Sequence, residues 1–218
     1  MPRWPFLWRT TPELVDPQRA YALWAPSYPP APHNRLMETE QAAVLSLLPD
    51  VRGLTALDAG CGSGRYLREL RRRGARACGL DLSNAMLARA SEGGGPLIRA
   101  DLCALPLGAM SVDVIVSGLA LGDVADLELA LLEMSRALRP GGRMIYSVVH
   151  PAGRRHGWSR TFKAGGRVRA IDGYWHPAEA HQTACHRADL IITAWEQPVL
   201  DEAPACPAVL VVRAERQR

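Results

Sequence analysis

The 218-residue sequence lacks several features that would place it in a special class of protein. It has no apolar run long enough to span a bilayer, and prolines and arginines interrupt residues 1–9, unlike the apolar core of a signal peptide. Its five cysteines include no C-x-x-C pair, and their odd number is not typical of a disulfide framework. We therefore expect a cytoplasmic protein with reduced cysteines and no membrane partner.

A strong excess of one charge is also missing. The formal net charge is +4, and the arginines are spread along the chain rather than gathered in one block, so nucleic acid is not the expected partner. Hydrophobic residues make up 48% and charged residues 22%, which excludes a disordered or fibrous chain. This length fits one α/β domain with a full core. Nothing in the sequence indicates an oligomeric state.

A glycine-rich turn between a strand and a helix is the centre of the sequence. The apolar strand Leu54–Leu57 is followed by Asp58 and three alternating glycines, and a helical pattern begins at Arg65. Glycine lets the backbone turn sharply and approach a ligand, and free N–H groups at the helix start face that turn. A second strand then ends in Asp81, where open α/β sheets bind ribose hydroxyls. Together these signals predict a cofactor site.

Strands and helices alternate through the rest of the chain. The predicted strands are Leu54–Leu57, Ala75–Leu80, Leu97–Ala100, Val112–Ser117, Arg143–Val149, Leu190–Trp195 and Ala208–Val212. The predicted helices are 34–48, Tyr66–Arg73, Ser83–Ala90, Leu127–Leu138 and 176–187. This rhythm predicts a Rossmann-like α/β three-layer sandwich with a mostly parallel seven-stranded sheet and a final antiparallel strand.

Two segments depart from this rhythm. Residues 1–33 are rich in proline and tryptophan, with two helical turns predicted within 17–25, and we interpret them as a cap or lid. The alternative, that their aromatic residues only cover the flank of the domain, stays open. Residues 34–218 then form the main domain. Within it, residues 151–176 are rich in glycine and arginine and form a predicted insertion with a hairpin.

Four motifs follow one another along the chain: LDAGCGSG at 57–64, GLDLS at 79–83, RADLCALPL at 99–107 and EMSRALRPGG at 133–142. Together they resemble the class I S-adenosylmethionine-dependent methyltransferases, of the small-molecule kind called methyltransferase type 11. The resemblance runs from about residue 20 to the C-terminus. It implies S-adenosylmethionine as the cofactor.

The resemblance also implies how the methionine end of the cofactor is held. The backbone of the glycine turn would contact this end, and Asp58 would orient its ammonium group through the turn. The turn residues carried over in this way are Gly60, Cys61, Gly62 and Gly64. A neutral turn is sufficient here, because this cofactor has no phosphate group.

The adenosine end is assigned in the same way. By the resemblance, Asp81 would accept both ribose hydroxyls, and a carboxylate is well suited to a diol. Leu82 and Met86 would pack on the adenine faces. Asp101 would accept from the adenine amino group, with the backbone of Leu102 completing that recognition.

Beside the methyl group, the resemblance implies a lining by residues Ser117 to Leu119. Tyr21 of the predicted cap is a further candidate for the cofactor site. The chief rival cofactor is a nicotinamide dinucleotide, whose fingerprint is G-x-G-x-x-G/A. In this chain Arg65 stands where that third small residue belongs. The glycine spacing therefore favours S-adenosylmethionine.

Methyl transfer is an in-line displacement, so alignment of the acceptor supplies much of the rate. A carboxylate acceptor needs no general base, whereas a hydroxyl or an enol gains from one. Residues after the fourth and fifth strands lie at the carboxyl ends, where open α/β sheets bind ligands. The catalytic candidates are His150, Asp123 and His176. Asp123 as a helix cap and His150 as a loop hydrogen bonder remain alternatives.

The sequence also contains a candidate metal cluster. It comprises His176, His181, Cys185 and His186, and His181 and Cys185 are one helical turn apart. No second organised pair accompanies them, and the resemblance implies no metal, so we expect none.

We interpret the chain as an S-adenosylmethionine-dependent methyltransferase acting on a small molecule at oxygen, in a carboxylate or a hydroxyl. It looks most similar to the malonyl-carrier-protein and quinone-type methyltransferases. The alternatives are an RNA or protein methyltransferase, which only the mildly basic composition supports, and a non-catalytic S-adenosylmethionine-binding protein.

Overall fold

The predicted alternation of strands and helices is present in the computed structural model, which describes residues 12–217. The helices are α1 (Pro17–Trp24), α2 (Arg35–Leu47), α3 (Arg65–Arg72), α4 (Asn84–Ser91), α5 (Leu127–Ala137) and α6 (Ala178–Arg187). The strands are β1 (Glu13–Val15), β2 (Thr55–Ala59), β3 (Arg76–Asp81), β4 (Leu97–Arg99), β5 (Val112–Gly118), β6 (Leu138–Val149), β7 (Thr161–Ala164), β8 (Arg167–Ile171), β9 (Leu190–Glu196), β10 (Val199–Leu200), β11 (Ala203–Pro207) and β12 (Val209–Arg216). Residues 1–11 of the predicted cap lie outside the described part of the chain.

A seven-stranded sheet with the order β4-β3-β2-β5-β6-β12-β9 forms the middle of the domain. The first five strands in this order run parallel, and β12 is antiparallel to both β6 and β9. The predicted α/β fold is therefore confirmed. Because β3 and β5 flank β2 on opposite sides, a crevice opens at the carboxyl end of β2, where ligands bind in open α/β sheets.

Helices cover both faces of this sheet. Successive residues of a strand point to opposite faces, and along β5 Ile115 packs in one buried cluster while Val114 and Val116 pack in the other. The first cluster includes buried residues of α5 and α6, and the second includes those of α2 and α3. The core is thus divided into two apolar layers, as the predicted three-layer sandwich requires.

The N-terminal segment and the insertion meet in a second, smaller sheet. Strands β7 and β8 form the predicted antiparallel hairpin, and β1 joins β8 in parallel. Trp24 of α1 stacks on Phe162 of β7, with 5.4 Å between the ring centroids. The N-terminal segment and the insertion, which lie far apart in the sequence, therefore build one common roof.

Two details differ from the predictions. Strand β6 begins at Leu138 rather than at Arg143, because residues 139–142 bulge out of the strand and Gly141 adopts a φ of +76°. The short hairpin of β10 and β11, between β9 and β12, was not predicted. Among the described residues, every helix is too short or too polar to cross a membrane.

Candidate cofactor and acceptor site

A cavity of about 1250 Å³ opens at the carboxyl ends of β2, β3 and β5 and extends beneath the roof. It brings together most of the residues predicted for the cofactor. Those that line it are Tyr21, Asp58, Gly60, Cys61, Gly62, Asp81, Leu82, Met86, Asp101, Leu102 and Leu119. Gly64 and Ser117 are not part of the lining.

The glycine turn follows β2 and forms the floor of the cavity. Gly60, Gly62 and Gly64 all have positive φ, at +73°, +53° and +80°, a conformation that other residues rarely adopt. A Cβ at Gly60 would overlap that of Ala120, so the turn also needs a residue without a side chain. Gly64 lies behind the turn, where it packs near Ala90 and begins α3. Its role is in the backbone geometry rather than at the cavity.

Asp81 connects the turn to the next helix. Its carboxylate accepts the N–H of Gly62 and the N–H of Ser83, each over 2.8 Å. Burial raises the pKa of Asp81, although the bonds from the backbone act against this rise. Each carboxylate oxygen has a further lone pair, so Asp81 can hold the turn and accept ligand hydroxyls together.

Asp58 lies deeper, at 1% exposure, and accepts the N–H of Leu67 over 2.7 Å. Burial raises the pKa of its carboxyl group to about 7. A cation brought to this point would lower that pKa by favouring the ionised form. Asp58 is therefore placed to pair with an ammonium group above the turn.

At the opposite wall lie the residues predicted to contact adenine. Met86 is buried and Leu82 is exposed, and both contribute apolar side chains to the lining of the cavity. Asp101 lies at the edge and accepts the N–H of Cys103 over 2.9 Å. Leu102 completes the wall. This arrangement suits a flat aromatic base with a polar edge.

The end of β5 departs from the prediction. Ser117 is fully buried within the strand, whereas Gly118 and Leu119 line the cavity as predicted for this stretch. Leu119 has a φ of +60°, and its N–H donates to the carbonyl of Ser147 over 3.0 Å. Strained backbone of this kind clusters at functional sites. Nothing in the composition of this stretch indicated the strain.

An ion pair joins the roof to the end of β5. Arg160 of the insertion contacts both carboxylate oxygens of Asp123, one of them over 3.0 Å. The hydroxyl of Tyr21 donates to the same carboxylate over 3.0 Å, and burial, followed by the charge of Asp123, raises the pKa of this phenol well above its usual range. Asp123 is thus bound on both sides and is not free to act as a base. Nor does it cap α5, since Asp126 does.

The two predicted catalytic histidines lie outside the lining of the cavity. The ring of His150 bonds to the side chain of Gln197 over 2.8 Å and accepts the N–H of Ala152 over 3.2 Å. His176 bonds to the carbonyl of Val124 over 2.7 Å. Both rings hydrogen-bond to neighbouring loops. For His150 this is the alternative that the sequence left open, in which the ring only bonds a loop. Their catalytic roles stay predictions without support from this geometry.

Two of the candidate metal residues pack against Tyr146. Cys185 contacts the hydroxyl of Tyr146 over 3.5 Å, and His181 stacks on the same tyrosine, with 5.7 Å between the centroids. Burial, followed by the nearby histidines, lowers the pKa of His181 to about 4. Across residues 12–217, no group of three or more His, Cys, Asp or Glu side chains is arranged to hold a metal ion.

Comparisons with known proteins show which family and fold this chain resembles. A family model described as a methyltransferase domain matches residues 57–146. An S-adenosylmethionine-dependent methyltransferase from Mesorhizobium loti is 30% identical with a TM-score of 0.67, and the match covers 82% of this chain and 98% of that one. A protein from Listeria monocytogenes, described as a putative enzyme of the same kind, has a TM-score of 0.70 at 21% identity over 83% and 99% of the two chains, which shows the shared fold.

Curated relatives are similar over part of their length. The malonyl-[acyl-carrier protein] O-methyltransferase of Enterobacter lignolyticus is 36% identical over 140 residues, which are 62% of this chain and 55% of the relative. The protein of the same description from Yersinia pestis is 33% identical over 154 residues, or 67% and 55%. The chain spans about half the length of the curated relatives it matches.

Proposed function

Because this chain belongs to the S-adenosylmethionine-dependent methyltransferases, we propose that it transfers the methyl group of S-adenosylmethionine to an oxygen atom of a small-molecule acceptor. One observation carries the proposal. The cavity has a glycine turn and Asp81 at one end, as a nucleoside cofactor requires, and continues beneath a roof at the other. A second reactant can therefore lie in line with the methyl group.

The residues present fit this cofactor. S-adenosylmethionine is the methyl donor, and its sulfonium makes the leaving thioether a good one. Asp81 would bind the ribose hydroxyls, Met86 and Leu82 would hold the adenine, and Asp58 would pair with the ammonium. The backbone at Gly60 and Gly62 leaves room for the methionine part, because neither residue carries a side chain.

The roof would align the acceptor and exclude water. Tyr21 and Arg160 meet on Asp123 above the end of β5, and Trp158 lines the same part of the cavity. Holding the acceptor oxygen in line with the methyl group removes much of the entropic barrier to displacement. This is the main contribution that we assign to these residues.

A carboxylate is the acceptor that this site favours. A carboxylate is already a nucleophile at neutral pH and needs no general base, and Asp123, at the end of β5, is paired with Arg160. A hydroxyl acceptor would gain from a base at that point. The descriptions of the curated relatives name a malonyl group on an acyl carrier protein, which is consistent with this choice of acceptor chemistry.

A labelled-methyl screen tests the proposal. The protein is incubated with S-adenosylmethionine carrying a radioactive methyl group and with carboxylates, thioester-linked dicarboxylates, phenols, alcohols, RNA or protein. We expect label on a carboxylate, released as volatile methanol by mild base because the product is a methyl ester. Base-stable label on RNA or protein would refute the proposal in favour of a macromolecular substrate. Cofactor binding without transfer to any acceptor would indicate a non-catalytic binding protein.

A further inference from the structure

A buried glutamate lies behind the glycine turn, on the helix that precedes β2. Glu40 of α2 is fully buried. One carboxylate oxygen accepts the hydroxyl of Tyr66 over 2.8 Å and the hydroxyl of Ser147 over 2.6 Å, and the other lies 2.7 Å from Nη1 of Arg65. Three elements, α2, α3 and β6, are joined by this one side chain.

This glutamate fixes the orientation of Arg65. The Nη1 group of Arg65 also donates to Gln41 over 3.3 Å, and the guanidinium lies 4.4 Å from the centroid of the Tyr66 ring. The side chain is only 13% exposed, yet it lines the cavity at the first residue of α3, directly after the glycine turn. Within residues 12–217, its Nε and Nη2 groups have no hydrogen-bond partner.

The network also reaches the cavity floor at the end of β5. Gly118 lines the cavity, and a Cβ there would overlap the ring of Tyr66 and lie 3.2 Å from the Glu40 carboxylate. The space between the glycine turn and β5 is therefore bordered by the network of Glu40, Tyr66 and Arg65. In the proposed function, that space holds the methionine part of the cofactor.

The other two arginines that line the cavity each have an acidic partner. Arg160 is paired with Asp123 in the roof, and the exposed Arg35 lies at the rim beside Glu38. Asp58 and Asp81 line the cavity beside the turn, whereas Arg68, which does not line it, donates to the carbonyl of Ser63 over 2.7 Å. Burial raises the pKa of Asp58, and the backbone bond from Leu67 and the charge of Arg65 act against that rise.

We propose that Arg65 binds the α-carboxylate of the cofactor's methionine part, and that Glu40 is the positioning residue that holds Arg65 in place. This assignment rests on the proposed function, since it needs S-adenosylmethionine in the cavity. Charges then alternate along the site, from Glu40 to Arg65, to the ligand carboxylate, to the ligand ammonium and to Asp58. The fixed guanidinium loses little side-chain entropy on binding, because the protein already orders it.

The competing explanation is that Arg65 only neutralises Glu40. Two ligands separate these roles: S-adenosylhomocysteine has the amino-acid carboxylate, and 5′-methylthioadenosine has the same nucleoside without it. We expect Arg65→Gln to weaken S-adenosylhomocysteine about 10- to 100-fold, as the loss of a charged hydrogen bond predicts, and to leave 5′-methylthioadenosine within about twofold. Isothermal titration calorimetry measures both. The exposed Arg72 of the same helix supplies the matched control, since Arg72→Gln should change neither ligand.

Arg65→Gln leaves the buried carboxylate of Glu40 unpaired and can destabilise the fold. A second variant therefore tests the same assignment without an unpaired charge. The double variant Glu40→Gln with Arg65→Gln removes both charges together and should keep the same selective loss. Equal loss of both ligands, or no loss of S-adenosylhomocysteine, in a folded variant would overturn the assignment. If the unaltered protein binds neither ligand, the proposed function itself fails, and the role of Arg65 fails with it.

Discussion

Replacing Asp81 by asparagine should affect both proposed roles of this carboxylate, which are to hold the glycine turn and to bind the ribose hydroxyls of the cofactor. In the structure it accepts the N–H groups of Gly62 and Ser83, each over 2.8 Å. Asparagine has one acceptor oxygen and one donor group, so one of these bonds is lost and two N–H groups face each other. We expect a loss of stability of about 1–3 kcal/mol, the usual cost of an unsatisfied buried donor.

The effect on cofactor affinity should be larger. Two hydroxyls of the ribose would bond to the carboxylate, and a hydrogen bond to a charged group contributes about 1.5–3 kcal/mol. Asparagine retains part of this binding free energy. We therefore expect the binding free energy to fall by about 2–4 kcal/mol, which corresponds to an increase of about 30- to 1000-fold in the dissociation constant. Calorimetric titration with S-adenosylhomocysteine measures the loss.

A modified ligand shows whether the ribose is the partner. For the unaltered protein, removal of the 2′-hydroxyl from 5′-methylthioadenosine should weaken binding severalfold, whereas for Asp81→Asn it should matter little, because the acceptor is already impaired. Thermal unfolding confirms that the variant is folded. If Asp81→Asn keeps its affinity within about threefold, or if the missing hydroxyl weakens both proteins equally, the reasoning on Asp81 is refuted.

Three further changes test other parts of the site. Gly60→Ala should lower the free energy of unfolding by about 1–3 kcal/mol in thermal denaturation, because its φ is +73° and its Cβ would overlap Ala120; an unchanged midpoint would contradict this. Asp123→Asn should cost about 3 kcal/mol by leaving Arg160 unpaired, and adding Arg160→Met should recover part of it; strictly additive losses would argue against the pair. Burial lowers the pKa of His181 to about 4, so the stability that its neutral ring contributes is complete above pH 6.5 and is lost as the pH falls toward 4. In urea titrations, His181→Phe should therefore lose less stability on acidification than the unaltered protein. An unaltered pH profile would show that His181 is not the origin of the loss.

Local patterns predicted much of the fold and the nucleoside side of the site. The turn after β2 depends on glycines at 60, 62 and 64, and the neighbouring Asp81 comes at the end of the next strand, so both are visible within a short stretch. The register that pairs Ala59 with Leu80 then brings turn and carboxylate together. Hydrophobic periodicity likewise located α2, whose N-cap Asn34 accepts the N–H of Met37 over 2.9 Å.

The acceptor side could not be predicted in this way, because its contacts join distant parts of the chain. The ion pair of Arg160 with Asp123 spans 37 residues, and the bond from Tyr21 to Asp123 spans 102. Spacing carries no information on such pairs. Glu40 did leave a signal, since it interrupts the apolar face of α2. A charge at a core position calls for a buried partner, and Arg65 provides it.

A crystal structure of the protein with S-adenosylhomocysteine tests the central claim most directly. We predict density in the cavity, with both ribose hydroxyls on the carboxylate of Asp81, the adenine between Met86 and Leu82, and the sulfur directed beneath the roof formed by Tyr21 and Arg160. Density for the ligand elsewhere, or with its sulfur turned away from the roof, would contradict the proposed methyl transfer.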